Sequence, residues 1–268
     1  MTDDRRLVAL DIDGTVLHED GVVTPVVVRA IRAAVDRGHE VMLATGRSAS
    51  STIPVARQIG IAPQYLVCSN GAVVLRRDPA APDGYRRHRV ETFDPTEVLR
   101  TISGALSDAR YAVEDDEGFF RYTEGFPAQA AGPAGEQVEF EAMLQVPATR
   151  VVVISPNHAT EEFLGVVERM GLHRVSYAVG WTAWLDIAPD GVNKATAMER
   201  VRESLGFARS QVVAAGDGRN DIEMLEWARE HGVGAAMGQA PDEVRAAAGE
   251  TIGAVTEDGL AGLLDRLV

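Results

Sequence analysis

Apolar residues in this chain fall into short unbroken runs, and the runs alternate with segments patterned for helices. Residues 6–12, RLVALDI, form one such run ending in acid, which predicts a buried strand. Residues 14–23 hold turn formers and predict a small hairpin. Thr24-Pro25 then opens a helix, with Thr24 as N-cap and Pro25 at the first helical position. Val28, Ile31 and Val35 supply its apolar face, and Gly38 closes it. HEVMLAT (39–45) predicts a second strand, Ser48 to Ile59 a helix, and YLVCS (65–69) a third strand. Strands alternating with helices imply βαβ units on a parallel sheet.

The rhythm breaks near residue 76, where RRDPAAPDG carries two prolines and a glycine and predicts a linker. Residues 84–184 mix short strands and helices, among them a strand at RVVVIS (150–155), a helix from Ala159 to Met170 and a loop at 126–136. The βα rhythm then returns. Helices are expected over Asn193 to Leu205, Asn220 to Ala228 and Asp258 to Leu267, and strands at QVVAAGD (211–217) and GVGAAM (232–237). The fold class is therefore α/β: a Rossmann-like parallel-sheet core in two pieces, 1–80 and 185–268, with an α+β cap inserted at 81–184.

Composition is that of an ordinary globular protein, 46% hydrophobic and 25% charged, in a chain of 268 residues. The net charge of -14 argues against nucleic acid or an anionic membrane as partner. No run approaches the ~20 apolar residues of a membrane span. The polar start MTDDRR shows no basic leader with an apolar stretch behind it, and a cytoplasmic location is expected. A lone cysteine, Cys68, excludes an intramolecular disulfide and reads as a small buried hydrophobe. Oligomeric state is not legible.

Candidate chemistry sits at strand ends, where open parallel sheets bind ligands. Asp11 and Asp13 straddle one residue after the first strand; an extended backbone projects both carboxylates to one side, where a cation or a proton must relieve their repulsion. Gly216-Asp217-Gly218-Arg219-Asn220-Asp221 is a second acidic loop. Magnesium, which prefers oxygen ligands and keeps several waters, fits a site built from Asp11, the Asp13 backbone carbonyl and Asp217, with Asp221 binding directly or through water. Thr45-Gly46-Arg47 follows the second strand and offers a hydroxyl, backbone N–H groups and a guanidinium to a phosphate or to an acid of the cap. Lys194 opens a helix behind Asn193, an unfavourable place for a cation unless a phosphate or an acid lies close.

Taken in order, DIDGT, ATGR, NKA and GDGRND resemble the motifs of the haloacid dehalogenase superfamily of phosphohydrolases, in its Cof-type branch, whose cap is inserted after the second motif. Asn70-Gly71-Ala72, Met224-Leu225, Ala236 to Ala240 and Thr256 to Gly259 extend the likeness. The resemblance implies a magnesium-dependent phosphatase acting on a small phosphorylated metabolite such as a sugar phosphate. Asp11 is then the nucleophile that forms an aspartyl-phosphate and Asp13 the acid/base partner. Thr45 and Lys194 hold phosphoryl oxygens, and Asp217 and Asp221 serve the metal. Gly46, Arg47, Asn70, Asn193 and Asn220 become substrate-binding candidates. Gln239 departs from the branch's usual Asn, which is expected to weaken or relocate a short loop contact. Two alternatives are a phosphomannomutase-like phosphosugar mutase and a non-catalytic protein that binds a phosphorylated metabolite. The cap shows no arginine cluster for a second phosphate beyond Arg86, Arg87 and Arg89 near the linker. The run Glu114-Asp115-Asp116-Glu117 is expected in a solvated turn, His18 in a solvated hairpin, and Trp181 and Trp184 in cap packing.

Overall fold

In the computed structural model, the described residues are 4–106, 108–127, 134–170, 172, 175–179 and 183–268. Trp181, the first three residues and most of the loop expected at 126–136 lie outside them. The first stretch forms β1 (Leu7–Leu10), α1 (Pro25–Asp36), β2 (Glu40–Leu43), α2 (Ala49–Ile59), β3 (Tyr65–Cys68), β4 (Val73–Arg77) and β5 (Tyr85–Val90). The cap follows with α3 (Thr96–Ala105), β6 (Arg110–Asp115), β7 (Phe120–Tyr122), β8 (Gly135–Gln137), α4 (Phe140–Met143), β9 (Ala148–Ile154), α5 (Thr160–Met170), β10 (Val175–Val179) and β11 (Trp184–Pro189). The chain returns through α6 (Lys194–Leu205), β12 (Val212–Gly216), α7 (Ile222–Arg229), β13 (Val233–Ala236), α8 (Asp242–Ala247), β14 (Glu250–Thr251) and α9 (Gly259–Leu264).

The main sheet runs β14-β13-β12-β1-β2, parallel throughout. A parallel bridge between Ala44 and Val67 sets β3 beside β2. The unbroken apolar run of β1 has a direct cause: its residues alternate between two cores. Val8 and Leu10 pack with Val27, Ile31 and Leu260 on one face, and Leu7 and Ala9 pack with Met198, Met224 and Leu225 on the other. Helix α1 starts as expected, with Thr24 Oγ1 accepting from Val27 N at 3.2 Å. Its buried face is Val27, Ala30, Ile31 and Ala34, so Ile31 is correctly placed while Val28 is half-buried and Val35 exposed.

The Pro/Gly-rich segment read as a linker is a hairpin turn. Asp78 N donates to Gly84 O, and β5 pairs antiparallel with β4. Turn and linker share a composition, so the sequence could not separate them. Glu91 N still bonds Ala72 O, whereas Phe93 pairs with Ala148 of the cap sheet. The cap sheet is ordered β10-β11-β9-β6-β7-β8 and is antiparallel apart from the β7–β8 pair. Helices α3 and α5 cover one face, burying Leu99, Ile102, Phe163 and Val167 against Val113, Val151 and Leu185.

Candidate active site

Chain order in the main sheet turns at β1. The first crossover carries the chain to β2 on one side, and the later strand β12 sits on the other. Loops after β1 and β12 therefore diverge and leave a crevice between them, the place where ligands bind in such sheets. Asp11 follows β1, Asp217 follows β12 and Thr45 follows β2, so the register of the sheet brings these residues side by side. The loop after β1 lies against Asp217 so closely that a Cβ on Gly14, at φ 76°, would sit 2.0 Å from Asp217 Oδ2. Thr15 Oγ1 donates to Asp217 Oδ1 at 3.4 Å.

Lys194 crosses the crevice from the first residue of α6. Its Nζ donates to Asp11 Oδ1 and to Asp221 Oδ1, each at 2.6 Å, with the ammonium fully buried. These two carboxylates explain how a cation stands at a helix N-terminus. Burial works against its charge, but Asp11 and Asp221 override that and hold its pKa above the usual lysine value. Asp221 Oδ2 accepts from the backbone N–H of Asp217 and of Gly218, both at 3.0 Å, so this side chain ties the acidic loop to the lysine. Gly216 is required for that approach, since a Cβ there would lie 2.5 Å from Asp221 Oδ2.

Asp11, Asp217 and Asp221 each bring a carboxylate oxygen within 4.8 Å of the others, all buried. One ammonium cannot neutralise this set. Burial, then the charge of Asp221, pushes Asp11 well above the carboxylate range and Asp217 up to about 7. A compact all-oxygen donor set with excess negative charge suits a hard divalent cation. Asp13, expected to offer the metal its backbone carbonyl, has its carboxylate gripped by Arg47, with Nε at 2.8 Å and Nη2 at 2.5 Å. Arg47 is thus paired with the neighbouring acid of the core rather than with an acid of the cap.

The remaining candidates form a polar rim. Ser69 and Asn70 adopt left-handed backbone angles, φ 48° and 51°. These aim the Asn70 side chain at Asn220, whose Nδ2 donates to Asn70 Oδ1 at 3.0 Å. Gly46 lies beneath this pair, with room for a Cβ only 3.2 Å from Asn70 Oδ1. Thr45 is buried, and its Oγ1 accepts from Arg47 N at 3.1 Å. The Asn193 Oδ1 is committed to capping α6 through Thr196 N at 2.9 Å. Its residue also borders a small cavity shared with Asn70, Lys194, Asn220, Ser176, Asp186 and Glu223.

Several further residues bear on the site. Gln239 links two loops: Nε2 donates to Gly14 O at 2.6 Å and reaches Asp217 Oδ2 at 3.3 Å, while Oε1 accepts from Val255 N at 2.9 Å. Glu114 is not solvated but fully buried, and its Oε2 accepts from Ser69 Oγ at 2.8 Å, joining cap to core. His18 is half-buried, with Nε2 shielded and unbonded. Arg150, unnoticed inside RVVVIS, is a buried cap arginine. A charged residue within an apolar strand was the available signal. Cys68 is buried as expected, and burial pushes its thiol up to about 12.

The family model for haloacid dehalogenase-like hydrolases matches residues 8–264. The 5-amino-6-(5-phospho-D-ribitylamino)uracil phosphatase YitU of Bacillus subtilis is 29% identical over 96% of this chain and 96% of its own. The phosphoglycolate phosphatase of Natronomonas pharaonis is 30% identical over 96% of both chains. Pyridoxal phosphate phosphatase YbhA of Escherichia coli is 27% identical over the same shares. Among solved structures, the HAD subclass IIB sugar phosphatase BT4131 superposes with a TM-score of 0.80 at 19% identity, covering 98% of this chain and 100% of that one. With the α/β core, the inserted cap and the acidic crevice already in place, this chain belongs to the haloacid dehalogenase-like hydrolases.

Proposed function

We propose that this hydrolase is a magnesium-dependent phosphatase that removes phosphate from a small phosphorylated metabolite through a covalent intermediate on Asp11. The observation that carries the reading is the Lys194 ammonium, clasped by Asp11 and Asp221 beside Asp217 in a buried crevice. It leaves the second oxygen of Asp11 available to attack while holding the first. Asp11, Asp217 and Asp221, with the Asp13 carbonyl, are the proposed holders of Mg2+, which when bound supplies positive charge to phosphoryl oxygens.

The residues of this chain divide the remaining work. Asp11 attacks phosphorus as the ester oxygen leaves. Asp13 gives that oxygen a proton and later takes one from the water that frees Asp11. The Arg47 clamp holds the Asp13 carboxylate until substrate enters. Thr45 and Lys194 steady the phosphoryl oxygens as charge builds. Gly46, Asn70, Asn193 and Asn220 line the path of phosphate and leaving group. In this division residues 1–80 and 185–268 supply chemistry and the inserted cap supplies selectivity.

Small-metabolite partners, rather than nucleic acid, suit a chain of net charge -14. No helix among the described residues is long and apolar enough to cross a membrane, and a cytoplasmic location belongs to the proposed reading. The test is phosphate release from a panel of sugar phosphates, nucleotides, pyridoxal phosphate and flavin mononucleotide, with and without Mg2+. Metal-dependent release supports the reading. Conversion of a hexose 1-phosphate to its 6-phosphate without free phosphate would favour a mutase, and an inert panel a binding protein.

A further inference from the structure

The cap sheet has two unlike faces. Val113, Val151, Val153, Leu185 and Ile187 lie under its helices. The alternate positions Glu114, Arg150, Val152 and Asp186 therefore stand on the opposite face. In the register of the sheet Glu114 faces Arg150, and Asp186 faces Val152 on the next strand. Both acids reach the catalytic loops: Glu114 bonds Ser69, the neighbour of Asn70, and Asp186 borders the cavity with Asn70, Lys194 and Asn220. Arg150 stands on the strand between them and so looks onto the same loops.

Its arrangement is that of a docked donor. Arg150 is 7% exposed. Its Nε donates to Asp186 Oδ1 at 2.6 Å, and Asp186 Oδ2 is fixed in turn by Trp184 Nε1 at 3.1 Å. Neither Nη nitrogen hydrogen-bonds another described residue, so the terminal fork of the guanidinium remains for a ligand. Burial opposes its charge, yet Asp186, Glu114 and Asp13 sustain it, which places the guanidinium within the field of the proposed acid/base residue.

We propose that Arg150 is a specificity-determining residue that binds the leaving group of the phosphate ester through a second anionic group, a carboxylate or a phosphate. This rests on the phosphatase reading above. Two parallel N–H donors match the paired oxygens of such a group, and burial spares the contact from screening by salt. A neutral polyol offers no equivalent. Arg150 also supplies what the sequence reading found missing in the cap, a cation for a second charged group.

The test uses matched esters. One pair is 2-phosphoglycolate against 2-hydroxyethyl phosphate, and the other is fructose 1,6-bisphosphate against fructose 1-phosphate. In each pair the members differ in the charge of the leaving group, and p-nitrophenyl phosphate reports general phosphatase activity. Wild type should favour the anionic member in at least one pair by kcat/KM; the first pair reports a carboxylate and the second a phosphate. Arg150→Met should lower that preference by about tenfold or more. Arg150→Lys, which keeps the charge and loses the fork, should fall between. Should Arg150→Met unfold for want of a partner for Asp186, the double variant Arg150→Met with Asp186→Asn removes both charges together. A wild-type preference for the neutral member in both pairs, or a ratio unmoved in the folded variant, overturns the proposal. Inert esters, p-nitrophenyl phosphate included, would instead sink the phosphatase reading beneath it.

Discussion

Lys194 and Asp11 stand 183 positions apart in sequence and meet at 2.6 Å, fully buried on the lysine side. Replacing the lysine by methionine leaves Asp11 and Asp221 as buried like charges without a counterion. Removal of one partner from such a group costs ~3–5 kcal/mol. Lys194→Met should melt well below wild type in the absence of metal, and in folded protein phosphate release should drop by ~10²–10³-fold. Calorimetry and a phosphate assay check both arms.

Gly14 and Gly21 share a positive φ, 76° and 78°, but only Gly14 has Asp217 where a Cβ would stand. Gly21→Ala should cost ~1 kcal/mol of strain and leave turnover intact. Gly14→Ala should add displacement of the Asp217 carboxylate, seen as a large rise in the Mg2+ concentration needed for activity. Equal metal requirements in the two variants would contradict the packing described.

Without metal, the Asp217 carboxyl is raised to about 7 by burial and by the charge of Asp221. In the unfolded chain it ionises near ~4. Between these values the folded state holds more protons, so metal-free stability should fall as pH rises from about 4 to about 7, by on the order of a few kcal/mol. Metal binding should release protons over the same window and tighten with pH. Melting curves of chelated protein across pH check the slope, and Asp217→Asn should flatten it.

Glu114 closes the seam between cap and core through Ser69, while its Oε1 and the nearby Arg87 Nη1 are buried without partners. Burial pushes the Glu114 carboxyl up. Ser69→Ala deprives Glu114 of its one hydrogen bond across the seam and should cost ~1–3 kcal/mol. Denaturant unfolding measures this; a change below ~0.5 kcal/mol would mean that the contact contributes little.

The parts legible in sequence were those governed by local rules. Buried parallel strands announce themselves as apolar runs, and the Thr24-Pro25 start of α1 and Asn193 cap of α6 carry their own signals. The strand-end acids followed from those runs. What stayed hidden depends on registers across distant segments. The Asp13–Arg47 clamp, the reach of Gln239 across two loops and the burial of Glu114 each join residues more than 30 positions apart, or span two loops from one amide. The turn at 78–84 failed for another reason, since prolines and glycines mark hairpins and linkers alike.

In the proposed reaction Asp11 carries the phosphoryl group. The most direct measurement is acid quench of a single turnover followed by borohydride reduction and peptide mass spectrometry. An aspartyl-phosphate is reduced to homoserine, and the account predicts that product at position 11 in wild type and none in Asp11→Asn. Homoserine at another aspartate, or sustained turnover by Asp11→Asn, would contradict it.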